Sequence, residues 1–83
     1  MKIGFIGTGN MGSSIIKGIL SSKFEKSENI NIFDLDKEKV NNLVKEYGVN
    51  AVNSEKELAK NSDIIVLSVK PHIIPVVLKN LSE

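Results

Sequence analysis

The sequence predicts an α/β fold, a doubly wound parallel sheet of four strands, on three observations. Short β-rich runs alternate with helix-period runs along the chain, in the order β-α-β-α-β-α-β-α. The first apolar run leads directly into the glycine-spaced turn Gly7-Thr8-Gly9-Asn10-Met11-Gly12 and then into a helical pattern. The fourth, Ile64-Ile65-Val66-Leu67, is apolar without interruption, which for a strand implies burial on both faces and hence a parallel sheet interior. Right-handed crossovers place strands one to three together and send the fourth to the far side of strand one, so the expected spatial order is 3-2-1-4.

Residues 2 to 7 are expected to form a central first strand through Ile3, Phe5 and Ile6, with Gly4 pointing to a close approach by a neighbour. The first helix begins near Asn10 as N-cap and puts Met11, Ile15 and Ile19 on a stripe facing the sheet, with Ile16 and Leu20 beside it. Gly18 inside that helix costs about 1 kcal/mol relative to Ala. It marks either tight packing, the favoured expectation, or an ordinary surface glycine. Residues 21 to 28 are a polar surface connection, and Ile30, Ile32 and Phe33 supply a second strand that ends at Asp34.

Asp36 is placed to cap a helix carrying Val40, Leu43, Val44 and Tyr47 at spacings of three and four, which Gly48 closes. A short third strand over Val49 to Val52 leads to Ser54 and Glu57, spaced as a capping box at the start of a brief helix. After the fourth strand, Pro71 opens a last helix with Ile73, Ile74, Val77, Leu78 and Leu81 on its apolar face and Pro75 in its first turns. No linker, repeat or low-complexity run interrupts this order.

With 83 residues the chain makes one domain with a small core. Its 25% charged and 41% hydrophobic residues are those of an ordinary soluble globular domain. A net charge of +1 argues against nucleic acid or an anionic membrane as the main partner, since both require a concentrated basic surface. The absence of cysteine excludes a disulfide framework, a thiolate nucleophile and a thiolate zinc site, and makes a cytoplasmic location the simplest expectation. The first apolar run is too short and too rich in glycine for a signal peptide or a membrane span.

The glycine turn has the spacing that dinucleotide binding requires. Gly7 permits the bend, Gly9 leaves no side chain between the backbone and a pyrophosphate, and Gly12 lets the helix sit close to the strand. The anion is held by helix-start amides, which lack intrahelical partners and carry the positive end of the helix dipole. Such a turn alone is a weak signal, because a strand-to-helix connection without any ligand has the same glycines. Asp34, about 20 residues further on, strengthens it by standing where a carboxylate accepts hydrogen bonds from the hydroxyls of an adenosine ribose. The plainer alternative makes Asp34 a turn or cap residue, although Asp36 is the better cap. His72 follows a lone proline-bounded turn without a paired carboxylate and reads as a surface residue. Met11 and Phe33 occupy core-type positions, and lysines 37, 39 and 45 form a solvated helix face. On spacing alone Lys70 is a solvated lysine.

Two motifs give a resemblance. Phe5-Ile6-Gly7-Thr8-Gly9-Asn10-Met11-Gly12 resembles the phosphate turn of pyrroline-5-carboxylate reductases, and Val69-Lys70-Pro71 resembles their segment beside the nicotinamide ribose. The glycine turn is shared with deazaflavin-dependent NADP reductases and the hydroxyisobutyrate group, so the Val-Lys-Pro segment discriminates. The resemblance spans the whole chain and implies that residues 1–83 are an incomplete, Rossmann-like N-terminal NAD(P)-binding domain, a fragment of a longer enzyme lacking its helical dimerisation domain. It implies that Ile6, Gly7, Thr8, Gly9, Asn10 and Met11, with Gly12 behind them, meet the pyrophosphate and nearby cofactor atoms, and that Ser68, Val69, Lys70 and Pro71 border the nicotinamide end.

The activity so implied is NAD(P)H-dependent reduction of the C=N bond of 1-pyrroline-5-carboxylate to L-proline, in proline biosynthesis, by a homo-oligomer. No catalytic acid, base, nucleophile or metal ligand is expected within these residues, and the chain alone is expected to be inactive. Two positions depart from the family pattern: Asp34, where a small polar residue is common, and Glu55, where an Asn is common. Both add negative charge beside the adenosine ribose, so NADH is expected to be favoured over NADPH. An NAD(H)-binding regulatory domain without catalysis is the alternative. Methyl transfer from S-adenosylmethionine is weaker, because Phe5 stands where such enzymes usually carry an acidic residue.

Overall fold

A computed structural model describes residues 1–82. Strands β1 (Ile3–Ile6), β2 (Ile30–Phe33), β3 (Asn50–Ala51) and β4 (Ile64–Leu67) alternate with helices α1 (Asn10–Ser21), α2 (Lys37–Tyr47), α3 (Glu55–Lys60) and α4 (Ile74–Ser82). The four strands are parallel in the order β3-β2-β1-β4, as the crossover rule requires. Ile3 lies opposite Ile30 and Ile64, and Ile6 opposite Phe33 and Leu67, so the carboxyl ends of the three longer strands are level. The result is the Rossmann-like doubly wound sheet.

Alternation along the strands divides the core in two. Ile3, Phe5, Ile30 and Ile32 pack with Ile16 of α1 and with Val40 and Leu43 of α2. Ile6 and Phe33 face the other way, against Leu58 of α3 and Val77 of α4. Gly4 shares this second face, and a Cβ there would lie 2.6 Å from Leu58 Cδ2, which is the expected close approach. Asn31, also on this face and buried, donates to Asn61 O (2.9 Å) and to Ser62 Oγ (3.2 Å), so its polar end is satisfied.

Helix α2 forms as its caps dictate. The Asp36 carboxylate accepts from Glu38 N (3.1 Å) and Lys39 N (3.3 Å), and Gly48 ends the helix at φ 73°, a left-handed conformation that favours glycine. Ser54 caps α3 through Glu57 N (3.1 Å), but Glu57 reaches back to Asn53 N (2.7 Å), one residue earlier than a regular capping box. Strand β3 is shorter than the expected Val49 to Val52, although Val52 N still donates to Ile32 O at 3.0 Å.

Four expectations need correction. The N-cap of α1 is Gly9, without a side-chain cap bond, and Asn10 is the first helical residue. The covered face of α1 is Gly12 and Ile16, with Ile19 and Leu20 at its margin, whereas Met11 is 69% exposed and Ile15 points largely outward. Gly12 is the point of closest approach to the sheet, and this turns the contact face by about 100°, one residue step, away from Met11. Nothing lies within 4 Å of a Cβ added at Gly18, which is therefore the ordinary surface glycine. Finally, β4 is an edge strand: Ile64 is 46% exposed, with Val66 packed on one face and Ile65 and Leu67 on the other. An unbroken apolar run identifies a strand but does not separate an interior position from a half-covered edge.

The last helix opens with a single 3-10 turn, Pro71–Ile73, before α4, and Pro75 is its second α-helical residue, where no intrahelical N–H is needed. Val77 is buried and Leu81 packs beside it, but Ile73 and Leu78 of the expected apolar face are exposed. Among the described residues no helix is long and apolar enough to cross a membrane.

Candidate functional site

The glycine turn is fastened from both neighbouring strands. After β1, Gly7 takes φ +95° and donates its N–H to Phe33 O at 2.9 Å. A Cβ at Gly7 would stand 2.7 Å from Ser68 O, so both the conformation and the space call for glycine there. From the β4 side, Ser68 N donates to Ile6 O (2.9 Å) and Ser68 Oγ donates to Gly7 O. From the β2 side, the Asp34 carboxylate receives Thr8 N (2.7 Å) and Thr8 Oγ1 (2.9 Å) on Oδ2, and Asp36 N (2.9 Å) on Oδ1.

Partial burial raises the Asp34 pKa, but the hydrogen bonds from Asp36 and Thr8, with the nearby Lys39 charge, more than offset this. The carboxyl is held below its ordinary value and is ionised at neutral pH. Beyond Thr8 the turn opens. A Cβ on Gly9 would meet nothing within 4 Å, whereas one on Gly12 would lie 2.9 Å from Gly7 O and 2.6 Å from Ser68 Oγ. Ser13 N bonds to Gly9 O, and the amides of Gly9, Asn10, Met11 and Gly12 find no acceptor among the described residues. Four unpaired donors at a helix start, with an open face beside them, form a cradle for an anion.

The cradle borders a cleft of about 430 Å³ at the carboxyl ends of β1, β2 and β4. Its walls are largely apolar, from Leu35, Val69, Ile73 and Val76. Its polar groups are Asp34, Lys39, Glu55, Lys70 and Asn80, and Asn80 Nδ2 donates to Glu55 Oε2 at 2.8 Å. An apolar cleft with a few placed polar groups is the usual character of a cofactor site. A groove of about 260 Å³ continues past Thr8, Gly9 and Asn10 towards α2. A third depression, about 470 Å³ around Lys2, Asn29, Lys60 and Asp63, lies at the opposite, amino ends of the strands. Ligands of open parallel sheets bind beyond the carboxyl ends, at the point where strand order reverses, and here that point is the β1–β4 gap beside Gly7.

Most of the residues expected from sequence meet here. Ile6, Gly7, Gly9, Asp34, Ser68, Val69 and Lys70 line the cleft, and Thr8 and Asn10 line the adjoining groove. Met11 is present through its amide, its side chain being turned outward, and Gly12 is buried behind the turn. Pro71 starts the 3-10 turn after Lys70 and does not line the cleft. Sequence reasoning missed Leu35, Val76 and Asn80. Leu35 carried a signal, as a lone leucine between two aspartates in a loop, and it is 85% exposed at the cleft mouth. The fastening roles of Thr8 and Ser68 carried none, because both depend on partners far away in sequence.

Residues 2–83 match the family described as NADP oxidoreductase coenzyme F420-dependent. Pyrroline-5-carboxylate reductase 3 of Danio rerio is 45% identical over 85 residues, covering 100% of this chain and 28% of the relative. The pyrroline-5-carboxylate reductase of Escherichia coli is 40% identical over 82 residues, covering 99% of this chain and 30% of the relative. The crystal structure of Plasmodium falciparum pyrroline carboxylate reductase with NADP bound superposes with a TM-score of 0.82 at 38% identity, over 98% of this chain and 28% of that one. The chain thus spans less than a third of the length of these relatives. With the family match running from residue 2 onward and the same Rossmann-like sheet in the solved relative, the chain belongs to this NADP oxidoreductase family and resembles its pyrroline-5-carboxylate reductases along its whole described length.

Proposed function

We propose that this chain binds a nicotinamide dinucleotide and supplies the cofactor-holding part of an oxidoreductase that reduces 1-pyrroline-5-carboxylate to L-proline. The observation that carries this is the cradle of four unpaired amides, Gly9 to Gly12, opening on the apolar cleft at the sheet's switch point. The cradle suits a pyrophosphate, and the walls at Leu35, Val69 and Val76 suit the flat apolar faces of an adenosine. The dinucleotide, when bound, supplies the hydride, and the protein's part is binding and orientation. Val69 and Lys70, at the end of β4, stand where the resemblance puts the nicotinamide ribose. On this reading the 83 residues alone hold the cofactor and do not turn over the substrate.

Cofactor choice belongs to the same cleft. Asp34 and Glu55 both line it, and a 2′-phosphate about 4 Å from one carboxylate is repelled by roughly 1 to 4 kcal/mol per charge pair, depending on screening. Lys39 offsets part of this, but the chain contains no arginine to form a bidentate phosphate clamp. NADH is therefore expected to bind more tightly than NADPH. Fluorescence titration of the 83-residue chain with each cofactor tests both parts. Binding of neither overturns the functional reading. Equal binding of both, or an NADH to NADPH affinity ratio unmoved by Asp34→Ser, overturns the preference.

A further inference from the structure

We propose that Asp34 is a positioning residue for the pyrophosphate cradle, acting through Thr8, in addition to whatever contact it makes with a ribose; this rests on the dinucleotide-binding reading above. Thr8 sits between the two glycines that shape the turn and is 3% exposed. Its backbone N–H and its hydroxyl both converge on Asp34 Oδ2, at 2.7 and 2.9 Å, and its carbonyl accepts from Ser13 Oγ of α1 at 3.2 Å. Every polar atom of Thr8 is thus engaged, and its amide is withheld from the anion.

The peptide leading into Gly9 therefore has its orientation fixed by a carboxylate on the neighbouring strand, and the four free amides follow from that orientation. The other oxygen of Asp34 receives Asp36 N, while the Asp36 side chain caps α2, so the cradle and the start of α2 share one anchor. A carboxylate has about four acceptor positions, and three are filled here. One is left for a ribose hydroxyl. Hydrogen bonds to an ionised acceptor are the strong kind, and loss of one corresponds to about a tenfold change in an equilibrium constant when it is expressed in binding.

The two roles of Asp34 separate by experiment on the 83-residue chain. Thr8→Val keeps the shape and removes only the hydroxyl bond, at a residue that faces away from the ribose. Kd for NADH and for NADPH is expected to rise by the same factor, about tenfold, leaving their ratio unchanged. Thr8→Ser is expected to stay within about twofold of the original chain. In an Asp34→Ser background Thr8→Val is expected to add nothing, since its partner is already gone. Amide NMR of the unsubstituted chain supplies a measurement that no folding failure can spoil: on NADH addition the Gly9, Asn10 and Met11 amide signals shift strongly and that of Thr8 does not. Unchanged affinities in Thr8→Val, an equal effect in the Asp34→Ser background, or a Thr8 amide that shifts with its neighbours overturns the clamp while leaving dinucleotide binding intact. Failure of the unsubstituted chain to bind either cofactor overturns the functional reading and the clamp together.

Discussion

Three glycines of one helix entry illustrate how differently a single residue type works. Gly9 has φ −71° and open space where a Cβ would project, so alanine fits the folded protein there without strain. Gly12 has neither freedom: its Cβ would press on the backbone of Gly7 and on Ser68. Gly18, exposed and uncontacted, only weakens α1 by its backbone entropy. Gly18→Ala is expected to stabilise the chain by about 1 kcal/mol. Gly12→Ala gains the same helix propensity but adds an overpacking cost of about 1 to 3 kcal/mol, so its net effect is zero or destabilising. Gly9→Ala is expected to leave stability within about 0.5 kcal/mol and to weaken NADH binding, because its methyl group occupies the path of the pyrophosphate. Urea denaturation and NADH titration of the three variants check this, and a Gly12→Ala chain as stabilised as Gly18→Ala would show that the Gly12 contact relaxes freely.

At the scale of elements, α2 is the helix most completely written in local sequence. Its N-cap, its apolar spacing and its left-handed Gly48 all lie within the helix or one residue outside it. Asp36→Ala is expected to cost about 1 kcal/mol, with a range of roughly 0.5 to 2, because it strips the acceptor from Glu38 N and Lys39 N while the Asp36 backbone bond to Asp34 remains. Chemical denaturation measures it, and an unchanged midpoint would mean that water replaces the cap at no cost. Elements decided by distant partners were less legible. The rotation of α1 is set by the contact of Gly12 with Gly7 and Ser68, and no periodicity within α1 distinguishes the Gly12–Ile16 face from the Met11–Ile15 face. The sheet order was legible from chirality and alternation alone, yet the exposure of β4 was not, since Ile64 to Leu67 reads the same at an edge as in an interior. In the site, glycine spacing and the strand-end position of Asp34 were visible in sequence. The convergence of Thr8 and Asp36 on that one carboxylate was not, because it joins three segments 26 residues apart at the widest.

For the molecule as a whole, β4 sets the outer limit of the sheet. It pairs only with β1, so along its other side the N–H and C=O groups that point outward have no strand to meet among the described residues. The apolar surface associated with it is substantial: Ile64 on the strand, and Ile73, Val76 and Leu78 on the turn and helix that follow, are all exposed. Part of that surface has an occupant in the functional reading, since Ile73 and Val76 line the cleft. Ile64 and Leu78 do not line it, and a bound dinucleotide would leave them as they are. An unpaired parallel strand edge beside exposed aliphatic side chains favours pairing with another chain. The 83-residue chain is therefore expected to self-associate reversibly, with an average sedimentation coefficient that rises with concentration. Leu78→Lys, which places a charge at a solvated helix position without touching Val77 or the cleft, is expected to shift the equilibrium towards monomer and to leave NADH affinity unchanged. A chain that stays monomeric at the highest attainable concentration would show that the edge is self-protecting. Association that survives Leu78→Lys undiminished would move the contact from the α4 surface to some other face.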